Sequence, residues 1–573
     1  MIRLEITDPA TGTVYVPHLP ADLSFEMLRE NPLFNRRGDY TYDIDISLRD
    51  PHNRAIYQHI DRLTASSRPQ NRRARLLCDG HVVADGTEVI LKKEGERVKI
   101  QIVAGNSEMN YLIADENLRI REMDFGKIPK PSINTVERVM NLSYPDANYA
   151  FPTIYKGTDT SYDEDSSLNP GIFDNEYYYG NGEMHYSDSS ELWPQPYLLY
   201  YVEKFIRILG YTIRRNDLRN TKWCRLMLIS GYKTLEYAKM LPDWTAAEFL
   251  EEMEKFFNII IVVDQITKTA DIINLTQWYN ETAPVEIDDA NICDEFEADY
   301  EPSENQFHNN YVNIAYKLPS GKYWKFASID KDIMRRCEVI TATTHQAAQM
   351  EDVSWKIFYE PGHDFYFIRY KEGGSNYTIL VNMFAPYIEN EEVGTTTFRI
   401  IPAEIYFSEV TAWGNYLSEM NAAMPQFYEN EVDSEEFTFY DAIEQGIKDV
   451  AGDVIQVAFY AGMLGNSVYR RPFQFTIPKA FHLGLIEVTE QILPGASSMT
   501  LEPRKRYAQD FKNSYRVGKE AYTASFRAAA ILDPMRQFLI HNRLFVCQQL
   551  KYTYKDGHQH PIVEGVFYPY NNN

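Results

Sequence analysis

Residues 40–48 read Tyr-Thr-Tyr-Asp-Ile-Asp-Ile-Ser-Leu. Apolar and polar side chains alternate without a break. Tyr40, Tyr42, Ile44, Ile46 and Leu48 fall on one parity, and Thr41, Asp43, Asp45 and Ser47 on the other. Successive side chains of a strand point to opposite faces, so the stretch predicts a half-buried antiparallel strand. The flanks extend the pattern. Residues 53–63 predict a short helix. Residues 74–91 are punctuated by Asp79-Gly80 and Asp85-Gly86, pairs that supply the positive φ angles of tight hairpin turns. Residues 98–102 alternate again and stop at Gly105-Asn106. Short strands with turn signals this dense predict a compact β domain, barrel or sandwich, over residues 1–105.

Further along, the pattern changes. In residues 106–190, Pro129, Pro131, Pro145, Pro152 and Pro170 interrupt it, and 158–181 is rich in Asp, Glu, Asn, Gly, Ser and Tyr. This predicts an irregular linker or insertion with an acidic, Tyr-rich loop. Residues 191–285 predict an α/β domain. Pro196 opens a helix running to about Leu209 and ending at Gly210. Thr245 with Glu248 three residues on predicts a capping box, and Phe249, Leu250, Met253, Phe256 and Phe257 form one helical stripe. A strand at 259–263, a turn at 264–269 and a returning strand at 270–274 follow. Residues 286–480 predict β-rich domain(s), with strands at 311–317, 365–370, 377–381, 396–401 and 454–460 and a helix at 440–450. In 481–573, Leu544, Val546, Leu550, Tyr552 and Tyr554 share a parity that Gln548 interrupts. Lys555-Asp556-Gly557 turns the chain into a second strand at 562–568. The fold expected is multidomain and mainly β, with one α+β unit.

Composition limits the function. The chain has 82 acidic and 57 basic residues and a net charge of -25, a field that disfavours nonspecific DNA binding. Its 42 Tyr and 30 Phe suit sheets and interfaces. The five cysteines are scattered, with no Cys-x-x-Cys spacing, so neither a disulfide framework nor a zinc site is expected, and synthesis in a reducing cytoplasm is. No apolar run of ~18 residues occurs, so no membrane-spanning helix is expected. The N-terminus lacks the basic and apolar regions of a secretory signal.

Chemistry-bearing residues are few. No phosphate-binding glycine loop, nucleophile elbow or zinc-protease signature occurs. His558 and His560 would point the same way on a strand, but they follow a turn and read as exposed turn histidines. Asp163-Glu164-Asp165 lacks the glycine-centred spacing of a calcium loop. Glu251-Glu252 and Glu435-Glu436 offer carboxylate pairs, and Cys547 a thiol within an alternating strand. Arg72-Arg73-Ala74-Arg75 and Arg504-Lys505-Arg506 read as solvated faces or subunit contacts. Tyr177, Tyr178, Tyr179 and Trp193 could stack on sugar rings; packing against a neighbouring subunit is the reading preferred. No catalytic residue, metal site or cofactor is expected.

A family resemblance rests on residues 31–45 (Asn-Pro-Leu-Phe-Asn-Arg-Arg-Gly-Asp-Tyr-Thr-Tyr-Asp-Ile-Asp), the Asp79-Gly80 hairpin, Pro242-Asp-Trp-Thr245 with Phe249-Leu250, and Val563-Glu-Gly-Val-Phe-Tyr568. In this order the units resemble the baseplate-hub and tail-associated proteins of tailed-phage tail tips, of the type found in phages and prophages of Bacteroidetes. The resemblance implies small β-barrels of the baseplate-hub type. The first would be residues 1–105. The second would be assembled from later segments, including 286–330 and the C-terminal hairpin, and completed in 481–573. It also implies a homotrimer that matches a six-fold tail tube, and contacts with distal tail or tail-tube proteins and with fibre or spike proteins. DNA would pass through an acidic lumen without specific binding. The protein would be made in the host cytoplasm and reside at the virion tail tip. Some relatives carry a C-terminal peptidase or muramidase domain. Here the chain ends at Tyr570-Asn-Asn-Asn573, so no such domain is expected. The function expected is a non-enzymatic hub; the alternatives are a carbohydrate- or receptor-binding tail protein and a peptidoglycan hydrolase.

Overall fold

The computed structural model describes residues 2–300 outside 21, 33, 35–37, 65–71, 115–117, 159–170, 188–189, 265–266 and 295. It also describes segments within 314–487, and residues 520–570 outside 556. The chain begins with β1 (Ile2–Thr7), β2 (Val14–Tyr15), β3 (Phe25–Glu30), β4 (Asp39–Thr41), β5 (Ile44–Ser47), α1 (Pro51–Ile56), β6 (Arg73–Cys78), β7 (His81–Glu94) and β8 (Arg97–Ala104).

The 40–48 stretch is two strands, not one. β4 pairs with β8 through Tyr40 and Val103, and β5 pairs with it through Ile44 and Ile100. One residue more is used on this side than on β8, which is a bulge, and a one-residue slip exchanges the faces. Ile44, Ile46 and Leu48 are fully buried, as their parity predicts. Beyond the bulge, Tyr42 is exposed and Thr41 turns inward, its hydroxyl accepting the Ile102 N–H at 3.0 Å.

The two Asp-Gly pairs also part company. Asp79 and Gly80 have φ of 52° and 81° and form the β6–β7 turn. Asp85-Gly86 lies inside β7, opposite Arg75 and Ala74. Gly86 is there for space, because a Cβ would sit 1.9 Å from the Val103 carbonyl oxygen. Helix α1 is shorter than expected: Asp50 caps it by accepting the His52 N–H, and Pro51 opens it.

The middle of the described chain contains α2 (Asn106–Ile113), α3 (Ile133–Val139), β9 (Tyr149–Ala150), β10 (Ile154–Thr158), β11 (Gly171–Asp174), β12 (Tyr177–Gly180), β13 (Glu183–Tyr186), β14 (Gln195–Pro196), α4 (Leu198–Ile208), β15 (Thr212–Asn216), β16 (Leu226–Ile229), α5 (Ala246–Phe257), β17 (Ile259–Asp264), β18 (Thr269–Asn274) and α6 (Leu275–Glu281). Described parts of 106–190, expected as a linker or insertion, contribute to the core. Prolines keep their elements short, but Ile120, Phe125, Val136 and Phe151 are buried in one cluster with α4 and α5. Helix α5 starts at the capping box of Thr245 and Glu248, and Asn258 ends it with φ 54°. Phe249, Leu250, Met253, Phe256 and Phe257 are all at most 2% exposed; each such side chain contributes about 1.5–3 kcal/mol by leaving water. The sheet order is β15-β18-β17, with β15 parallel and β17 antiparallel to β18. Side chains blunt the outer edge of β17. Asn106 donates to Ile261 O at 2.8 Å and accepts the Val263 N–H at 2.9 Å, while Glu254 accepts the Ile261 N–H at 3.0 Å. Groups left bare there would template pairing with another strand.

Then follow β19 (Val285–Ile287), β20 (Glu297–Asp299), β21 (Ile314–Tyr316), β22 (Glu338–Thr341), β23 (Lys356–Glu360), β24 (Phe365–Glu372), β25 (Ser375–Val381), β26 (Thr396–Phe398), β27 (Ile400–Pro402), β28 (Glu404–Ala412), β29 (Tyr416–Met424), β30 (Ile455–Gly465), β31 (Tyr469–Phe475), β32 (His482–Leu483) and β33 (Ile486–Glu487). Strands occur at each of the five places expected in this region. The expected helix at 440–450 lies outside the described residues. The chain closes with β34 (Ala521–Arg527), β35 (Gln537–Ile540), β36 (Arg543–Lys555) and β37 (His558–Pro569).

A 14-stranded sheet joins the two ends of the chain, in the order β2-β1-β6-β7-β8-β4-β3-β36-β37-β34-β20, with β5, β19 and β35 attached. The multidomain, mainly β fold is as expected; the small barrels are not formed. Among the described residues no sheet closes on itself. The reason lies at β3. The edge that would close a barrel over 1–105 pairs instead with β36, Phe25 opposite Tyr554 through Glu30 opposite Gln549. Segment 285–299 joins the C-terminal hairpin through β19–β35 and β20–β34, again in open form.

β36 repeats the bulge device. Cys547 pairs with Phe567 and Gln549 with Val566, leaving Gln548 extra. Leu550, Tyr552 and Tyr554 therefore share a core with Phe545 and Cys547, not with Val546. Val546 faces a second cluster with Ile260, Ile273 and Tyr279, which docks the α/β unit onto the sheet.

Candidate functional site

The hairpin β12–β13 turns at Asn181-Gly182, both with positive φ, and pairs Tyr177 with Tyr186, Tyr178 with His185 and Tyr179 with Met184. Alternation separates the three tyrosines. Tyr177 is 3% exposed, and its hydroxyl donates to Phe151 O at 2.8 Å and lies 3.4 Å from the Tyr460 hydroxyl. Burial pushes its phenol well above the ordinary range. Tyr177 thus offers no ring face to a sugar. Tyr179 packs half-buried against the same core. Tyr178 points to the other side and stacks on His185, centroids 4.7 Å apart. Gly180 leaves room for that ring; a Cβ there would lie 3.2 Å from it.

Trp193 is tied to the hairpin by Asn175, which is fully buried with φ 56°. The Asn175 amide donates to Pro152 O at 2.7 Å and Trp193 O at 2.8 Å, and its oxygen accepts the Trp193 N–H at 2.8 Å. One side chain so clamps three segments, and the indole N–H donates to Glu191 at 3.0 Å.

Beside this clamp lies a buried ion pair. Lys156 Nζ is 2.6 Å from Asp174 Oδ1, with the two side chains 3% and 5% exposed. β10 and β11 are antiparallel neighbours, and their register shifts between Tyr155 and Gly157. Lys156 is the bulged residue, and a bulge re-aims its side chain. Burial raises the Asp174 carboxyl above the usual range, opposed by Lys156.

The other candidates are structural or lie elsewhere. His558 pairs with Asp79 at 2.5 Å, joining the turns of two hairpins, while His560 accepts the Ile562 N–H through Nδ1. Glu252 is buried, paired with Lys255 and accepting the Arg399 N–H, whereas Glu251 is exposed. Cys547 is fully buried and its thiol is raised well above the usual range by burial. In the basic run at 72–75, Arg73 and Arg75 keep nearly half of their side chains in solvent, and Arg72 alone turns inward. Arg72 is 4% exposed, bound to Glu88 at 2.7 Å, and Arg73 and Arg75 converge on Asp85 at 2.8 and 3.0 Å. Asp163-Glu164-Asp165, Glu435-Glu436 and Arg504-Lys505-Arg506 lie outside the described residues. Among the described residues no group of three metal-ligating side chains occurs, and no helix is long and apolar enough to cross a membrane.

No family model and no curated protein matches the chain. Among solved structures it is similar to the 43 kDa tail protein of prophage MuSo2 from Shewanella oneidensis. That similarity has 7% identity and a TM-score of 0.32, and covers 99% of this chain and 95% of that one. It is also similar to the tail protein from Neisseria meningitidis MC58, at 6% identity and a TM-score of 0.32, covering 100% of this chain and 96% of that one.

Sequence reasoning missed the buried charges. Besides Lys156–Asp174, Glu203 is fully buried and holds Arg219 at 2.7 Å and Arg207 at 2.9 Å. The available signal was a lone charge inside an apolar run, as in Phe-Pro-Thr-Ile-Tyr-Lys156 and Leu-Leu-Tyr-Tyr-Val-Glu203. Also missed was a shallow depression of about 610 Å³ lined by Ile292, Cys293, Asp294, Phe296 and His541.

Proposed function

We propose that this chain is a non-enzymatic structural component of a phage-type tail, placed at the tail tip as a hub that closes the tube and joins it to fibres or a spike. One observation carries the reading. The first hundred residues and the last fifty form one continuous sheet, and the α/β unit docks onto it through Ile260, Ile273 and Tyr279. This is the order of units on which the hub resemblance rests. The structural engagement of Cys547, Glu252 and His558 supports a role in assembly over one in catalysis.

In this reading the subunits form a homotrimer, the acidic surface lines a passage that DNA crosses without adhering, and the remaining surfaces meet tube and fibre proteins. The test is sedimentation of the purified chain over a range of concentrations, alone and mixed with a tail-tube protein, followed by electron microscopy of the peak. Three-fold rings that cap tubes are the expected result. A chain that stays monomeric at high concentration and ignores tubes overturns the hub reading.

A further inference from the structure

We propose that Lys156 and Asp174 condense into an intramolecular isopeptide bond that locks β10 to β11. The geometry carries this. The bulge at Lys156 delivers its amine 2.6 Å from Asp174 Oδ1, so the carboxyl carbon lies one bond behind the atom already in contact. Reactants held in such contact reach effective concentrations of roughly 10⁵–10⁸ M when well oriented. Both side chains are shut away from water. A buried charge pair carries a desolvation cost, which proton transfer from ammonium to carboxylate relieves, and burial favours that transfer by raising the carboxyl. The form that condenses is a neutral amine facing a protonated acid.

The step balances without an added reagent. The Lys156 nitrogen forms a bond to the Asp174 carboxyl carbon, a carbon–oxygen bond breaks, and the hydroxyl leaves as water with a proton from the amine. Glu191, whose negative charge acts on both groups, raises the Asp174 carboxyl further. The product amide has no charge to bury, and it ties residue 156 covalently to residue 174. Such a lock suits a protein that bears load within an assembly, although the chemistry does not depend on that role.

Trypsin reads the outcome directly in the full-length chain. Between Arg138 and Lys204 the one cleavable residue is Lys156. The bond blocks that cut, so residues 139–204 are expected as a single peptide lighter by one water, with the intact protein lighter by the same amount. Lys156→Arg keeps the cation, cannot condense, and restores the full sequence mass. Recovery of separate 139–156 and 157–204 peptides from folded wild-type protein, with the intact chain at full mass after prolonged incubation from mildly acid to mildly alkaline pH, overturns the proposal. The wild-type peptide map decides the matter even if the variant does not fold.

Discussion

The side-chain amide of Asn31 donates to the backbone carbonyl of Cys547 at 2.8 Å, across 516 residues of chain. The same amide donates to Pro534 O at 3.0 Å, and the Asn31 backbone N–H reaches Gln548 O at 2.8 Å. Asn31 is fully buried at the seam where β3 meets β36. Its side chain ties the Cys547 carbonyl, beside the Gln548 bulge, to the Pro534 carbonyl of the preceding connection. Asn31→Ala keeps the backbone bond to Gln548 but leaves the Cys547 and Pro534 carbonyls without their amide donor, at about 1–3 kcal/mol. Asn31→Asp is worse, since a carboxylate would face carbonyl oxygens in a buried site. Urea titration of the soluble variants should show the midpoint falling in the order wild type, Ala, Asp.

The two Asp-Gly pairs give a sharper contrast. At Gly80 nothing lies within 4 Å of an added Cβ, so Gly80→Ala meets only the strain of a φ of 81°, about 1–2 kcal/mol. At Gly86 the Cβ would strike Val103 O at 1.9 Å and its carbon at 2.7 Å, both backbone atoms. Gly86→Ala must separate β7 from β8. Gly80→Ala should be recovered folded with a modestly lowered melting temperature, and Gly86→Ala should accumulate as insoluble protein.

These pairs also mark the limit of what local sequence can tell. Both read as turns, and only the distant strand carrying Val103 distinguishes them. Helix α5 was legible because its cap and its apolar stripe both lie within residues 245–257. The strand alternation at 40–48 was legible as strand but misleading as to face, because a bulge depends on how the partner is counted. β3 with β36 was not legible at all, since no local signal names a partner 500 residues away. At the tyrosine hairpin, the three adjacent tyrosines looked like one surface, but alternation puts Tyr177 in the core and Tyr178 on the other side.

Glu203 sets a pH dependence. Burial alone would raise its carboxyl, but hydrogen bonds from Arg219, then Tyr144 and Asn216, hold it below its ordinary 4.5. A depressed folded value means the unfolded chain takes up the proton first. The stabilisation is therefore complete above the ordinary value and is lost as pH falls through 4.5 toward the folded value. Glu203→Gln should be less stable near neutral pH by about 1–3 kcal/mol and should show a shallower fall of stability on acidification. Parallel urea titrations from neutral pH to about pH 4 check both; equal slopes would assign the acid sensitivity to other carboxylates.

The bulge at Gln548 separates the role of a side chain from that of a residue count. Gln548 is half-buried, and its backbone carbonyl makes the bond to Asn31. Gln548→Ala keeps that carbonyl and the extra residue, so its stability should stay within about 0.5 kcal/mol of wild type. Deleting Gln548 removes the extra residue. If β3 and β37 hold residues 549–555 in register, residues 543–547 must exchange faces. Phe545 and Cys547 would leave the core they share with Leu550 and Tyr552, and Val546 would leave the contact with Ile260 and Ile273. The sheet joining the chain ends and the docking of the α/β unit would fail together. Hydrogen exchange should show this as lost protection in both β8 and β17, with Gln548→Ala retaining it in both.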